Sequence, residues 1–216
     1  MPLYNPAGIT SDDTIIFSDI TTNNASTTKH GFLRKLSGSS TDVLKGDGTF
    51  GAASGGGNFT LITDTLLAVD TANFDFTSIP GTYTHLFIVT LTRSDNGGGS
   101  FDFILMRFNN DSGTNYDYAN SAGSSTGASS AQMGVTTGAT ATSGAPGTLN
   151  IMIPNYTGTT FWKQADGFGG DARGVTNSGL SAGTWKNTAA ITRITIFPSS
   201  GTHWVAGSRA TLYGLN

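Results

Sequence analysis

The chain has 216 residues with no cysteine, a net charge of −3 and only 12% charged residues. Without cysteine no disulfide can form, so packing or association between copies must stabilise the fold. So few basic side chains exclude a nucleic-acid partner, because affinity for a phosphate backbone depends on several Lys or Arg contacts.

The composition favours strands over helices. All 14 acidic residues are aspartates, so glutamate, a good helix former, is absent. Threonine and glycine are abundant, and they are typical of strands joined by tight turns. No apolar run approaches the length of about 18 residues that could span a bilayer, which excludes membrane insertion. We therefore predict an all-β protein.

Residues 1–24 are predicted to form an N-terminal anchor. Two short apolar runs, 7–9 and 14–17, lie among polar residues and have no partner surface within the segment. We expect these runs to dock on another protein. The segment has no basic and apolar leader of the secretory kind, so we expect no secretory signal.

Residues 25–57 are predicted to be a connector between the anchor and a larger domain. Its main apolar side chains are Phe32, Leu33 and Leu36, whether residues 26–36 form a short helix or an extended segment. Three apolar side chains are too few for a private core, so we expect identical copies to associate through them. The alternative is a solvated linker without association.

Two stretches of the connector form a recognisable pattern. Residues 26–32 read STTKHGF and residues 46–50 read GDGTF. The pattern resembles a connector of bacteriophage tail fibres and related virion appendages, in which STTKHGF is followed by GDGTW. Here Phe50 takes the place of the final Trp, and Arg34 stands where that family often has Pro.

Residues 185–192 and 207–214 are similar to the closing strands of phage fibre tip domains. The resemblance implies a homotrimeric virion protein on the tail or the capsid exterior, whose N-terminus binds other virion proteins. Two functions follow as expectations. The protein is either a receptor-binding fibre that attaches to a host-surface glycan, or a structural head fibre or capsid decoration protein. The short connector favours the second.

Residues 58–216 are predicted to form a β-sandwich of jelly-roll type. The run AASGGG at 52–57 is typical of a linker and marks the boundary before it. Short apolar segments recur between Gly-rich turns, and no fixed repeat indicates a propeller or a β-helix. The predicted strands are residues 59–69, 74–79, 84–93, 101–108, 132–136, 148–154, 160–167, 190–197, 203–205 and 209–213.

Three segments of the sandwich carry further predictions. Residues 84–93 alternate with period two, and both resulting faces are largely apolar, so we expect this strand to be central. Residues 109–130 and 167–183 are rich in Gly, Ser, Thr and Asn, and we predict that both form long loops.

No catalytic residue is predicted. His30, His85 and His203 are not accompanied by a nucleophile elbow or a cysteine, which argues against a hydrolytic triad. Asp166 and Asp171 could converge as the paired carboxylates of a glycosidase, but most aspartates here stand in turn sequences. We therefore expect a protein that is not an enzyme and uses no cofactor.

Residues 109–117 have oxygen-bearing side chains at alternate positions around Gly113. Calcium prefers such ligands, but no bidentate acid follows at the position where a helix-loop-helix calcium site requires one. We interpret the segment as an Asx-rich turn and predict no metal.

Four aromatic residues, Tyr116, Tyr118, Trp162 and Trp185, are predicted to lie in or beside loops, close to Asn and Asp. Aromatic faces next to amides and carboxylates suit stacking on sugar rings and hydrogen bonding to their hydroxyls. We predict that these four residues form a glycan-binding site. The alternative for Trp162 and Trp185 is the core or a subunit interface, where we also place Trp204.

Overall fold

The structure is a computed structural model that describes residues 42–45, 49–52, 59–173 and 177–216. The chain divides into two compact units, Met1–Gly55 and Gly56–Asn216. In the first unit, β1 (Asp42–Leu44) and β2 (Phe50–Ala52) form an antiparallel hairpin. The predicted anchor and the predicted association residues Phe32, Leu33 and Leu36 lie outside the described residues.

The second unit is built from antiparallel strands. They are β3 (Phe59–Leu66), β4 (Phe74–Phe76), β5 (His85–Thr92), β6 (Phe101–Phe108), β7 (Tyr116–Asn120), β8 (Gly123–Ala128), β9 (Ala131–Thr137), β10 (Gly147–Pro154), β11 (Lys163–Asp171), β12 (Asn177–Trp185), β13 (Ile194–Pro198) and β14 (Arg209–Leu215). None of the described residues belongs to a helix, and so none forms an apolar helix of membrane-spanning length.

These strands form two sheets. The large sheet has the order β3-β14-β5-β10-β11-β12-β7-β8, and the small sheet has the order β4-β13-β6-β9. The prediction of an all-β sandwich is therefore confirmed, while the finer assignment to the jelly-roll type stays a prediction.

The core lies between the inner faces of the two sheets. Leu86 and Ile88 of β5 point into it from the large sheet, and Ile194 and Ile196 of β13 from the small sheet. Period-two alternation sets this orientation, because successive side chains of a strand point to opposite faces. Each such side chain contributes about 1.5–3 kcal/mol when it is fully buried.

The face of the large sheet that is turned away from the small sheet is the outer face. As predicted, β5 is an interior strand, between β14 and β10. Its second apolar set lies on the outer face, where Phe87 is half-buried and Val89 and Leu91 are exposed. Strand β5 is therefore apolar on both faces, but in the isolated chain only its inner face is covered, by the small sheet.

Three strands lie where the sequence predicts loops. They are β7 and β8 within residues 109–130 and β12, most of which lies within residues 167–183. Gly167 of β11 and Gly183 of β12 serve packing instead of turns, because β9 of the small sheet lies across these strands. A Cβ atom at Gly183 would come within 2.7 Å of Met133 Sδ and 2.8 Å of Ala131 Cβ.

The prediction of a strand at residues 203–205 is wrong. Trp204 makes isolated bridges to Thr71 and Ser94 instead of joining a sheet. Its side chain is fully buried, and the indole Nε1 donates to the carbonyl oxygen of Ile196 at 3.1 Å. The prediction that Trp204 belongs to the core is confirmed.

Candidate functional site

The loop between β10 and β11 presents two aromatic side chains to solvent. Phe161 is 75% exposed and Trp162 is 59% exposed. The loop begins with a tight turn, in which Asn155 adopts a positive φ of 46° and the N–H of Gly158 donates to the Asn155 carbonyl at 3.1 Å. Both rings follow this turn and lie in the part of the loop directly before β11.

Buried Tyr156 fixes the first half of this loop. Its hydroxyl donates to the carbonyl oxygen of Pro80, and its own carbonyl accepts from the N–H of Ile191 at 2.9 Å. The loop is thus tied to two other segments of the chain.

Lys163 fixes the second half. Its side chain is only 2% exposed, and Nζ donates to the carbonyl oxygens of Gly158, Phe161 and Thr188. Burial lowers the pKa of Lys163, yet three carbonyl acceptors compensate the ammonium group for the water it has lost. The backbone of Phe161 is held directly, so the aromatic pair is preorganised.

An open groove of about 400 Å³ lies beside Trp162. Apart from the two aromatic residues, its lining is polar and consists of Thr160, Gln164, Thr184 and Thr188. Thr184 donates to Gln164 Oε1 at 2.7 Å, and the two residues face each other across β11 and β12. This bond orients the amide of Gln164 next to the indole.

Beyond Thr184, the polar row continues to β7. Asp117 is the cross-strand neighbour of Thr184 and forms an ion pair of 2.9 Å with Lys186. The hydrogen bond from Lys186 lowers the pKa of Asp117. An indole face next to an amide, hydroxyls and an ion pair matches the groups that bind a sugar ring by stacking and hydrogen bonding.

The structure does not bring the four predicted aromatic residues together. Tyr116 is fully buried, and its hydroxyl accepts from the N–H of Phe108 at 2.9 Å. Trp185 is 2% exposed and stacks on Tyr116 with 18° between the ring planes. Burial raises the pKa of Tyr116 to about 12. The prediction of a surface role is therefore wrong for Tyr116 and Trp185, because neither ring can reach a sugar.

Tyr118 is half-buried and packs against the core, so Trp162 is the member of the predicted set that projects into solvent. The prediction also lacks Phe161, Gln164 and Thr184, which line the groove. Prediction of residues 163–171 and 177–185 as neighbouring strands would identify Gln164 and Thr184, because residues opposite each other on neighbouring strands share a face.

Residues 109–117 form a hydrogen-bonded turn around Asp111. Its Oδ1 accepts from the N–H of Gly113 at 2.8 Å, and its Oδ2 accepts from Asn115 Nδ2 at 2.9 Å and Trp185 Nε1 at 2.6 Å. The bond from Trp185 is the main reason that the pKa of Asp111 is lowered. These oxygens serve the turn and the core.

The two aspartates that the sequence offers as a carboxylate pair lie on opposite sides of β11. Asp166 is exposed on the outer face, whereas Asp171 is buried and forms an ion pair of 2.8 Å with Arg173. Their separation of five residues causes this, because an odd step along a strand changes the face. They cannot converge on one substrate.

The two described histidines bond to neighbouring loops. His85 Nδ1 accepts from the N–H of Asn155 at 3.1 Å, and His203 Nδ1 lies 3.2 Å from Asp95 Oδ2. His30 lies outside the described residues.

No family model matches this chain, and no curated protein or solved structure does either. The groove beside Trp162 is therefore a candidate site on the basis of its own residues and geometry.

Proposed function

We propose that this chain is a homotrimeric bacteriophage fibre protein of the virion, and that its sandwich binds a host-surface glycan in the groove beside Trp162. The observation that carries the proposal is an exposed indole on a loop held by buried Lys163. A large aromatic ring kept rigid in water suits binding, because little conformational entropy is lost when a ligand stacks on it.

The chemistry of the groove favours a carbohydrate over an apolar ligand. Gln164, Thr184 and Thr188 surround the indole with hydrogen-bonding groups, and the groove is open to solvent. A single stacking contact is weak. Three copies on one fibre would raise the strength of attachment through multivalency.

The virion assignment rests on the STTKHGF and GDGTF sequences at residues 26–32 and 46–50. In this proposal, residues 1–24 bind another virion protein, and Phe32, Leu33 and Leu36 join the copies. The sandwich then points away from the particle. The protein is not an enzyme and uses no cofactor.

Binding to an array of bacterial surface polysaccharides tests the glycan site. Trp162→Ala is expected to weaken binding at least about tenfold, because a stacking anchor is lost. Its thermal unfolding midpoint should shift by less than about 2 °C, as for other exposed side chains. Val69→Ala is the matched control, since Val69 is 69% exposed but lies outside the groove. Unchanged binding by a stable Trp162→Ala protein would contradict the glycan site.

A structural head fibre or capsid decoration protein is the second candidate. The shortness of the connector, residues 25–57, favours it, because a main tail fibre needs a longer shaft. Immunogold electron microscopy of intact particles distinguishes tail from capsid. In both cases, deletion of residues 1–24 should leave a folded protein that no longer enters the particle, and copurification of the truncated protein with particles would place the attachment elsewhere.

A further inference from the structure

The outer face of the large sheet carries apolar side chains that neither the core nor the groove beside Trp162 uses. They lie on strands from β3 to β12 and are exposed or half-buried. We call the following six residues the outer band: Phe59, Leu61, Phe87, Val89, Phe168 and Leu180.

The outer band extends across the sheet. On one side, the Phe59 ring packs edge-on against Phe87, with 5.4 Å between the ring centres. On the other side, Phe168 and Leu180 are cross-strand neighbours. Between the two sides, Met152 of β10 stands directly opposite Phe87, and Asn150 of β10 stands between Val89 and Phe168. A groove of about 550 Å³ lies between Met152, Phe168 and Leu180.

The size of this surface matches a subunit interface. The six strands from β3 to β12 cover about 24 Å across the sheet, and the band extends about 20 Å along the strands, which gives a projected area of roughly 500 Å². Side-chain relief makes the accessible area larger, in the range of the ~800 Å² per partner that a stable interface buries. Monomers rarely expose apolar patches of more than a few hundred Å².

An ion pair and one aspartate lie on the outer face close to the band. Asp64 and Arg209, which share the outer face, form an ion pair with 2.8 Å between Arg209 Nε and Asp64 Oδ1. Asp166 adds one negative charge inside the band, where it stands opposite Met152 and lines the groove. Gln164 and Thr184, which line the groove beside Trp162, lie in the next row and mark the polar edge of the band.

Chain connectivity favours a second copy as the partner. Phe59 follows the linker directly, and residues 53–58 are all that separate it from β2. If the connector joins copies, as the proposed function assumes, this short link keeps their sandwiches at high local concentration. Strand β3 is also an edge strand whose outward apolar residues natural proteins rarely leave uncovered.

We propose that the outer band packs against the sandwich of a second copy of this chain. The interface buries Phe168 and Leu180 together with Phe59 and Phe87, whose rings are in contact. The surfaces that remain open in the assembly include the loop of Phe161 and Trp162.

Site-specific photo-crosslinking of the full-length protein tests this inference. Phe168 is replaced by p-benzoylphenylalanine, and the protein is irradiated at high dilution. The matched control carries the same probe at Phe161, which is the more exposed of the two phenylalanines. We expect the probe at 168, but not at 161, to give a product of twice the chain mass of 22.3 kDa. The same probe in place of Leu180 should give this product too.

A pair of valines supplies the second comparison. Val89→Asp, introduced with the probe at 168, buries a charge in the proposed interface and should reduce the yield about tenfold. Val69→Asp places the same charge on an exposed connection and should leave the yield unchanged.

Two results would overturn the inference. A multimer by light scattering with no crosslink from position 168 would mean that copies associate elsewhere, while the proposed fibre function stands. A crosslink within one chain would mean that the outer band is covered by another segment of the same molecule. Conversely, crosslinked copies that bind no glycan would leave the inference intact and contradict the proposed glycan site.

Discussion

The indole nitrogen of Trp185 donates a hydrogen bond of 2.6 Å to Oδ2 of Asp111, which joins the end of β12 to the loop before β7. The same ring stacks on Tyr116 inside the core. Trp185 is thus held by packing and by a charge-assisted hydrogen bond, whereas Trp162 stands in solvent. The two tryptophans should respond very differently to truncation.

Trp185→Ala is expected to lower the free energy of unfolding by about 3–5 kcal/mol, because it leaves a large cavity. Trp185→Phe keeps most of the ring but removes the donor to Asp111, and should cost about 1–3 kcal/mol. Urea unfolding measures both. Trp162→Ala is the reference and should stay within about 0.5 kcal/mol of the parent protein. Similar losses at positions 162 and 185 would contradict these placements.

Acid should unfold the protein through its bonded aspartates. Arg209 and Thr211 lower the pKa of Asp64 from 3.8 to about 2, and the pKa of Asp111 is lowered as well. Between its two pKa values each carboxyl binds more protons in the unfolded state, so stability falls as the pH falls. We expect a constant urea midpoint from about pH 7 to pH 5 and a decline below about pH 4. Asp111→Asn should decline less steeply, whereas an equal slope would remove Asp111 as a contributor.

Lys163→Met tests whether the buried ammonium holds the aromatic loop. The variant keeps a long apolar side chain but leaves three carbonyl oxygens without their donor. We expect a loss of about 2–4 kcal/mol in stability. Hydrogen exchange of the backbone amides at residues 158–162 should become faster. Unchanged exchange in a stable variant would show that Tyr156 and the turn hold the loop without Lys163.

Iodide quenching of fluorescence should detect one accessible tryptophan. Trp185 is 2% exposed and Trp204 is fully buried, while Trp162 is 59% exposed. Trp162→Phe is therefore expected to remove the quenchable part of the emission. A quenchable component that persists in this variant would mean that Trp185 or Trp204 is reached by solvent.

The alternation of apolar residues was sufficient to predict the sandwich. It identified β5 as an interior strand, because Leu86 and Ile88 alternate with a second apolar set. It could not reveal that the outer face is uncovered in the isolated chain, since a pattern of side chains does not specify what packs against them. The same limit applies to Tyr116 and Trp185, whose burial depends on a partner as distant in sequence as Asp111.

Glycine has two uses in this fold, in turns and in closely packed strands. In residues 167–183 the glycines predict a loop, as is usual for Gly-rich polar sequence. Gly167 and Gly183 instead lie where β9 approaches the large sheet closely, and a Cβ atom at Gly167 would come within 2.9 Å of the Met133 carbonyl oxygen. Only the position of β9 distinguishes these two uses, and β9 is far away along the chain.

The place of β14 in the large sheet has a consequence for biosynthesis. This strand is the last of the large sheet in chain order, yet it separates β3 from β5. On the ribosome, β3 therefore has no neighbour to pair with until residue 215 has left the exit tunnel. While residues 67–208 are synthesised, β3 stays unpaired and β5 can pair only with β10, and such open edges are prone to aggregate. Slow release or premature termination should therefore favour insoluble product, even though the finished sheet pairs both strands.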